Sequence, residues 1–254
     1  MIEPLFAALT VSLLVNVLFF SFAFYFKTDK VTDFSYGASF ILAALVVVLG
    51  NEQKGYLHYL LLAMISAWGI RLSIYLVIRI LRTGKDKRFD GIRENLKRFA
   101  SFWILQAVSV WIILIPSIYV LSKPQAEVGV LQVAGFLLWA SGFAIEFVAD
   151  QQKFIFKSKN PDGFIASGLW KYSRHPNYFG EALLWWGIFV FSLPSLSAWE
   201  YLVVVGPLFI SYLLLFVSGI PPLERSYDKK YSNNEKYKNY KKRTSVFVPF
   251  FPRN

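Results

Sequence analysis

Residues 99–121 read FASFWILQAVSVWIILIPSIYVL, a run of apolar and small polar residues without a charged side chain. Because an α-helix rises about 1.5 Å per residue, a run of this length crosses the roughly 30 Å hydrocarbon core of a bilayer. Similar runs recur along the chain and predict seven membrane helices, at about residues 5–25, 34–50, 56–80, 99–121, 128–149, 179–193 and 198–219. The sixth is the weakest of these, because Pro194 ends it early.

The composition is that of a membrane protein. Of the 254 residues, 56% are hydrophobic and 19% are aromatic, which is too apolar for a soluble domain of this size. No linker or repeat marks a second domain, so we expect one all-α, polytopic integral membrane domain over residues 1–254. The chain has no cysteine and two histidines, which excludes disulfides and Cys- or His-rich metal centres. We therefore expect no metal site.

The net charge of +11 is concentrated in alternate loops. The loops after predicted helices 1, 3 and 5 and the C-terminal tail hold nearly all Lys and Arg residues, whereas the intervening loops hold only Lys54 and Lys123. The positive-inside rule then predicts a cytoplasmic C-terminus and an N-terminus on the outside. Orientation and contact with anionic membrane lipid explain the excess charge. We expect no binding of nucleic acid, because the chain has no basic soluble domain.

A few ionisable side chains fall within the predicted membrane helices. They are Arg71, Tyr75 and Arg79, which share one face of helix 3, and the acids Glu146, Asp150 and Glu181 on helices 5 and 6. Such groups usually face the bundle interior, where they pair or line a functional site. The arginines either form structural ion pairs with these acids or belong to a site, and Arg79 can also extend to the interface.

Residues 168–181, GLWKYSRHPNYFGE, form a basic, aromatic and amide-rich segment at the start of the sixth helix. We call this segment the motif. Polar groups cost free energy near hydrocarbon, so the motif predicts a site for an anionic ligand at the membrane surface. Two further polar segments, residues 146–157 and the tail 221–250, accompany it. The tail is either an interfacial segment held on anionic lipid or a lid over a phosphate-bearing ligand, and the motif favours the lid.

The residue types in these segments suit a nucleotide. Arginine, lysine and asparagine donate to phosphate and amide groups, aromatic rings stack on flat rings, and carboxylates accept from ribose hydroxyls. No glycine-rich phosphate loop occurs in the chain, so helix ends and loops must hold the ligand. These residue types do not decide between a nicotinamide dinucleotide and S-adenosylmethionine.

The string Arg-His-Pro-Asn-Tyr-Phe-Gly-Glu at residues 174–181, with Asp150 upstream and residues 237–250 downstream, resembles the bacterial branch of the steroid 5-alpha-reductase family. The resemblance covers roughly the whole chain and is strongest from residue 141 onward. It implies a seven-helix reductase in a bacterial inner membrane, with residues 1–140 on the substrate side and residues 141–254 binding NADPH. Hydride would pass from NADPH to the β-carbon of an enone, such as a 3-oxo-4-ene steroid, that enters from the bilayer.

The motif and the resemblance together assign candidate residues. Cofactor contacts are expected at Asp150, Lys153, Lys157, Tyr172, Arg174, His175, Asn177, Tyr178, Glu224, Tyr240 and Arg243. Developing charge on the ketone oxygen needs a donor, and the candidates, in no order, are Asp33, Tyr36, Tyr75, Glu146 and Glu181. Substrate contacts are expected at Trp68, Arg71 and Tyr75.

Two of these positions depart from the family pattern. Steroid-reducing members hold the ketone with a Gln-Glu pair near helix 2 and a tyrosine on helix 3, where Asp33 and Trp68 are the nearest counterparts here. Asp33 would also suit the N-cap of helix 2. Glu181 would likewise suit an ion pair with Arg174 or Arg71.

Two other functions stay open. A shorter Arg-His-Pro-x-Tyr core also occurs in isoprenylcysteine carboxyl methyltransferases, which bind S-adenosylmethionine, although Asn177 and the following Phe-Gly-Glu favour the reductase. The chain could also be a membrane protein without catalytic activity, such as a transporter or a lipid-binding scaffold.

Overall fold

The computed structural model describes residues 2–83, 89 and 91–252, and this part of the chain is helical, without a strand. Its α-helices are α1 (Ile2–Tyr25), α2 (Thr32–Gly50), α3 (Tyr56–Thr83), α4 (Leu96–Leu121), α5 (Val130–Lys159), α6 (Pro176–Ser192), α7 (Val205–Tyr212), α8 (Ile220–Lys230) and α9 (Glu235–Arg243). Short 3₁₀ segments cover Gly168–Lys171, Leu193–Ser195 and Ala198–Val204, and a π-helical turn covers Leu213–Val217.

Six segments of the described chain are long and apolar enough to cross a bilayer. They are Ile2–Tyr25, Thr32–Gly50, Tyr56–Ile80, Leu96–Leu121, Val130–Lys159 and Ala198–Lys230. The predicted class, an all-α polytopic membrane protein, is confirmed. The number of seven spans stays a prediction, because α6 has only 17 residues, or about 26 Å of helix, and stops just before the turn at Pro194.

Helix α5 is longer than its apolar run. We expected it to end near residue 149, but it continues to Lys159, because no proline or glycine interrupts that stretch. The lysines of its last turn also interact favourably with the helix dipole. The assignment of Lys153, Lys157 and Lys159 to a loop was therefore wrong, and these side chains project from a rigid helix that continues past its apolar part.

The described chain divides into two compact units. Unit 1 runs up to Gly129 and also takes in Ser192–Gly206, while unit 2 consists of Val130–Phe191 and the chain from Pro207 onward. We had set the division between the substrate side and the cofactor side at residue 140. In the structure α5 lies wholly in unit 2, together with the motif and the tail.

Amide and hydroxyl groups join α1, α2 and α4 of unit 1 at membrane depth. The Asn16 side chain donates to the Ser12 carbonyl at 2.8 Å and to Ser39 Oγ at 3.0 Å. Gln106 Nε2 donates to Asn16 Oδ1 and to Ser35 Oγ, at 2.9 Å each. Because lipid offers polar groups no partner, these side chains satisfy one another and hold the three helices together.

Four glycines bring α5 and α6 of unit 2 into backbone contact. They fall seven residues apart on each helix, Gly135 and Gly142 on α5 and Gly180 and Gly187 on α6. A Cβ atom on Gly142 would lie 2.5 Å from the Leu184 nitrogen and 2.6 Å from the Gly180 carbonyl oxygen. Only glycine permits so close an approach, as is usual where membrane helices pack tightly.

Gly142→Ala should therefore destabilise the protein. The added methyl group must push α5 from α6, and overpacking of this kind costs about 1–3 kcal/mol of unfolding free energy. Thermal unfolding in detergent measures the effect. The matched control is Gly50→Ala on α2, whose Cβ would meet nothing within 4 Å and which should be neutral or mildly stabilising. Equal unfolding temperatures for Gly142→Ala and the wild type would contradict the glycine contact.

Candidate functional site

The motif is a compact turn that leads into α6. Gly168 adopts a left-handed backbone conformation with φ of 61°, and a Cβ there would also lie 2.5 Å from the Gln152 amide. Ser173 Oγ accepts from the His175 nitrogen at 3.1 Å, and Pro176 is the first residue of α6. Proline is favourable there, because the first helical residue needs no N–H donor. The local sequence thus fixes where the side chains of Arg174, His175 and Asn177 emerge.

The tail lies along the motif and is bonded to it by backbone atoms. The Arg174 nitrogen donates to the Ser245 carbonyl at 2.8 Å, and the Phe250 nitrogen donates to the Tyr172 carbonyl at 3.0 Å. Between them, Ser173 Oγ donates to the Phe247 carbonyl at 2.7 Å. Helix α9 leads into this stretch and is capped by Asn234, whose side chain accepts from the Tyr237 nitrogen. The tail is therefore a wall of the site.

Glu224 is the centre of a cluster of charges that joins α8, the motif and α9. Its carboxylate lies 2.5 Å from Arg174 Nη1, 2.9 Å from His175 Nε2 and 3.2 Å from Lys241 Nζ. Lys241 also pairs with Asp228 at 2.6 Å. The Arg174 and Glu224 side chains are only 10% and 15% exposed. At this degree of burial, removal of one partner leaves an uncompensated charge inside the protein, whereas an exposed surface pair contributes little.

Aromatic rings surround this cluster. The Tyr240 hydroxyl donates to the Trp170 carbonyl at 2.6 Å, and Trp170 Nε1 donates to the Ala149 carbonyl on α5 at 3.0 Å. The Lys153 ammonium lies 4.9 Å from the centre of the Trp170 ring, a cation–π contact. Burial raises the pKa of Tyr240 well above its ordinary value, so its hydroxyl stays neutral and donates at physiological pH. The motif is thereby tied to both α5 and α9.

Two buried polar atoms of the motif have no hydrogen-bond partner within the described structure. One is Arg174 Nε, a donor, and the other is Asn177 Oδ1, an acceptor. Buried polar atoms are nearly always bonded, so each such atom calls for an explanation. A ligand with a phosphate oxygen for Arg174 and an amide N–H for Asn177 would satisfy both. These donor and acceptor types suit a phosphate and a nicotinamide carboxamide, once the protein groups that cover both atoms make room.

The structure gathers many of the predicted cofactor residues in unit 2. Lys153, Arg174, His175, Glu224 and Tyr240 share the connected network described above. The Tyr178 ring stacks on the His175 ring with centres 5.8 Å apart. Glu146 and Asp150 lie one turn apart on α5 and are 3% and 4% exposed. Glu146 lies against Gly180 of α6, the residue that precedes Glu181.

The other three predicted cofactor residues lie at the edges of this network. Lys157 donates to the carbonyls of Pro161 and Gly163, at 3.1 and 2.7 Å, and so holds the loop after α5. The Tyr172 ring packs against Phe251. Arg243 is exposed at the end of α9. These contacts are all with the protein itself. The roles of Lys157, Tyr172 and Arg243 as cofactor residues stay predictions.

The predicted substrate residues and two donor candidates belong to unit 1. Trp68 is 1% exposed and packs against Tyr36, and the Arg71 guanidinium lies 5.7 Å from the centre of the Tyr75 ring. Asp33 is not the N-cap of α2, as we had considered, because that position is held by Val31. Asp33 instead forms an ion pair with Arg79 at 3.2 Å.

Sequence reasoning missed two members of the site. Lys241 and Ser173 both lie in segments that we had singled out, but neither was assigned a role. Lys241 follows Tyr240 directly and lies one helical turn after Tyr237, so a helical reading of the tail would have placed it beside Tyr237. We had described the tail only as an interfacial segment or a lid and had not predicted α8 and α9 within it.

Comparison with known proteins identifies a family. The family described as "Protein of unknown function (DUF1295)" matches residues 19–244, a range that includes α5, the motif, α8 and α9. No curated protein and no solved structure matches the chain.

Glu224→Gln should destabilise unit 2. It leaves the buried Arg174 guanidinium without its carboxylate, and breaking a buried pair on one side costs about 3–5 kcal/mol. The matched control is Glu235→Gln, which loses only the exposed pair with Lys238, worth about 0–0.5 kcal/mol. Thermal unfolding and protease cleavage of the tail measure the difference. Equal stability of the two variants would show that the cluster does not hold the tail.

Stability should also decline at mildly acidic pH because of His175. Burial lowers the pKa of His175 below its ordinary value of 6.5, and the hydrogen bond to Glu224 offsets this only in part. As the pH falls below 6.5, the unfolded chain takes up the proton first, so this contribution is intact above pH 6.5 and is lost as pH falls towards the folded pKa. His175→Gln should flatten the unfolding temperature against pH over that window, whereas Asn239→Ala on the exposed side of α9 should keep the wild-type slope.

Proposed function

The chain belongs to the DUF1295 family, and we propose that it is an NADPH-dependent membrane reductase of the steroid 5-alpha-reductase type. The proposed reaction saturates the carbon–carbon double bond of a hydrophobic enone, such as a 3-oxo-4-ene steroid. One observation carries the proposal. The motif holds a buried donor, Arg174 Nε, and a buried acceptor, Asn177 Oδ1, that find no partner within the described protein.

The charges around these two atoms suit a dinucleotide with several phosphates. Arg174 and Lys241 share Glu224, Lys241 also pairs with Asp228, and Lys153 lies over the Trp170 ring, so among these contacts two carboxylates offset three basic side chains. In this proposal a phosphate binds Arg174 through Nε, after the protein groups that now cover Nε move aside, while Nη1 keeps its bond to Glu224. The extra phosphate of NADPH, compared with NADH, would also be favoured by this excess of basic side chains.

Asn177 is placed to hold the other end of the cofactor. It is the second residue of α6, half-buried, and its side chain can accept from the carboxamide of a nicotinamide ring. The neighbouring Tyr178 stacks on His175 and offers a flat apolar face. NADPH, when bound, supplies the hydride. The chain itself would orient the nicotinamide and shield it from water.

The protein must also stabilise negative charge on the ketone oxygen and deliver a proton. In unit 2 the candidates are Glu146, which is 3% exposed at the α5–α6 crossing, and Glu181 on α6. In unit 1 they are Asp33, Tyr36 and Tyr75. Asp33 is engaged by Arg79, and Tyr36 packs by its edge on Phe40 and Trp68, so both are held in fixed positions.

The proposal includes the orientation of the site. With the C-terminus in the cytoplasm, as the distribution of Lys and Arg predicts, the motif and the tail face the cytosolic pool of nucleotides. A hydrophobic substrate would enter from the bilayer. This arrangement brings a water-soluble reductant and a lipid-soluble acceptor to one membrane protein.

Asn177→Ala should weaken NADPH binding without weakening the fold. Asn177 Oδ1 makes no hydrogen bond in the described structure, so the hydrogen bonds that its loss removes are, in this proposal, those to the cofactor. One or two such bonds, at about 1 kcal/mol each, correspond to a roughly 5- to 30-fold rise in Kd. Calorimetry on folded protein in detergent measures Kd, and Asn239→Ala, an exposed asparagine on α9, is the matched control. Unchanged affinity in Asn177→Ala would refute its assignment.

The reaction itself is tested with NADPH carrying deuterium at C4 and a panel of hydrophobic enones. We expect the label at the β-carbon of the saturated product, without added flavin or metal. The same preparation is then titrated with S-adenosylmethionine. Binding of S-adenosylmethionine together with failure to reduce any enone would replace the reductase by a methyltransferase. If neither NADPH nor S-adenosylmethionine binds, the remaining interpretation is a membrane protein without catalytic activity, such as a transporter or a lipid-binding scaffold.

A further inference from the structure

The outer face of the tail is apolar and exposed. From Val246 to Phe250 the residues alternate, with Val246, Val248 and Phe250 exposed and Phe247 and Pro249 half-buried. The exposed fractions are 41%, 54% and 69%, and the next residue, Phe251, is 76% exposed. We call residues 246–251 the apolar strip. A period of two is that of an extended segment with one face on the protein and one face turned away.

The inner face of the strip is fixed, so the outer face cannot fold inward. The backbone bonds to Tyr172 and Ser173 hold one edge of the strip against the motif. The Phe247 ring contacts the Phe179 ring, with centres 5.6 Å apart. These contacts hold the side chains of Val246, Val248 and Phe250 outward, so the exposed apolar patch is a fixed feature of the fold.

The strip contacts the start of α6, close to the end of the apolar part of α5. Its partner Phe179 is in the first turn of α6, directly before Gly180, which packs against Glu146 on α5. Beyond Glu146 the sequence of α5 changes from apolar to Asp150, Gln151, Gln152 and Lys153. Phe179 is therefore level with the end of the apolar part of α5. The end of an apolar membrane helix marks the interface, where amphipathic segments insert.

The charges that precede the strip indicate which partner covers it. Helix α9 ends in Lys241, Lys242 and Arg243, and Lys242 is exposed. Basic residues followed by an apolar strip suit the surface of a bilayer with anionic lipid. A second copy of the chain would bring two identical basic clusters together, which is unfavourable.

We propose that the apolar strip inserts into the interfacial layer of the bilayer, with the basic end of α9 against anionic phospholipid headgroups. The wall of the candidate site would then rest on the membrane surface by its outer face. This inference does not depend on the proposed reaction. It concerns only the face of the tail that is turned away from the motif.

The chain has no cysteine, so one cysteine introduced at Val248 can carry an environment-sensitive fluorophore. The matched control is Lys238→Cys on α9, whose side chain is 53% exposed. Both labelled proteins are placed in nanodiscs of phosphatidylcholine and phosphatidylglycerol with a lipid that carries a quencher near its headgroup. We expect several-fold stronger quenching at position 248 than at position 238, together with a blue-shifted emission. Thermal unfolding checks that both variants are folded.

Equal, weak quenching at the two positions would overturn the proposal. So would emission at position 248 that becomes blue-shifted in detergent as the protein concentration rises, because a second copy would then cover the strip. The contribution of charge is tested by Lys242→Glu in the Val248→Cys background. It should reduce quenching in nanodiscs with phosphatidylglycerol and leave it unchanged in phosphatidylcholine alone. An equal effect in both lipids would refute the contact with anionic headgroups.

Discussion

The backbone contact between α5 and α6 is the constraint on which unit 2 depends. Lipid is as apolar as a leucine side chain, so membrane helices gain little from hydrophobic burial and associate through close packing. The glycines Gly142 and Gly180 allow that packing, and they bring Glu146 to the first turn of α6. Once these helices are in register, the motif at the start of α6 stands beside the polar end of α5. Trp170 then reaches the Ala149 carbonyl, and the turn is locked.

The second requirement is a counterion for Arg174. A guanidinium that is nine-tenths buried cannot be left unpaired, and Glu224 supplies the charge from α8. The same carboxylate accepts from His175 and attracts Lys241, so one side chain draws three segments of the chain together. The contacts of Glu224 help to order a tail that is rich in lysine and tyrosine against the motif. It also leaves Arg174 Nε buried without a hydrogen-bond partner in the described structure.

The membrane class could be predicted from sequence because hydrocarbon imposes a simple rule on length and polarity. The run at residues 99–121 and its counterparts before it therefore located α1 to α4 to within three residues at each end. The position of the motif at the start of α6 could be predicted as well, whereas its role as a binding site stays a prediction. The extension of α5 was missed because polar residues such as Gln151 and Gln152 carry no membrane signal, although they continue a helix readily.

Partners that are distant in sequence could not be predicted. Neither the pair of Asp33 with Arg79 nor the cluster around Glu224 leaves a local pattern, because each joins residues separated by about fifty positions. The sequence indicated only that such charges needed partners. For Arg79 we considered Glu146, Asp150 and Glu181, all on later helices, whereas the acid that binds it lies on the preceding helix of the same unit. The choice among several acids is made by packing, which composition does not reveal.

The separation between Arg174 and Glu224 has a consequence for biosynthesis. Arg174 leaves the ribosome 50 residues ahead of Glu224, so its charge is uncompensated until α8 has been synthesised. An unpaired arginine beside a membrane segment resists translocation and favours the cytoplasmic side. Only after α8 has been synthesised does Glu224 neutralise it and bring it into the folded protein. The same guanidinium would thus act twice, first as a signal read by the insertion machinery and then as a structural anchor.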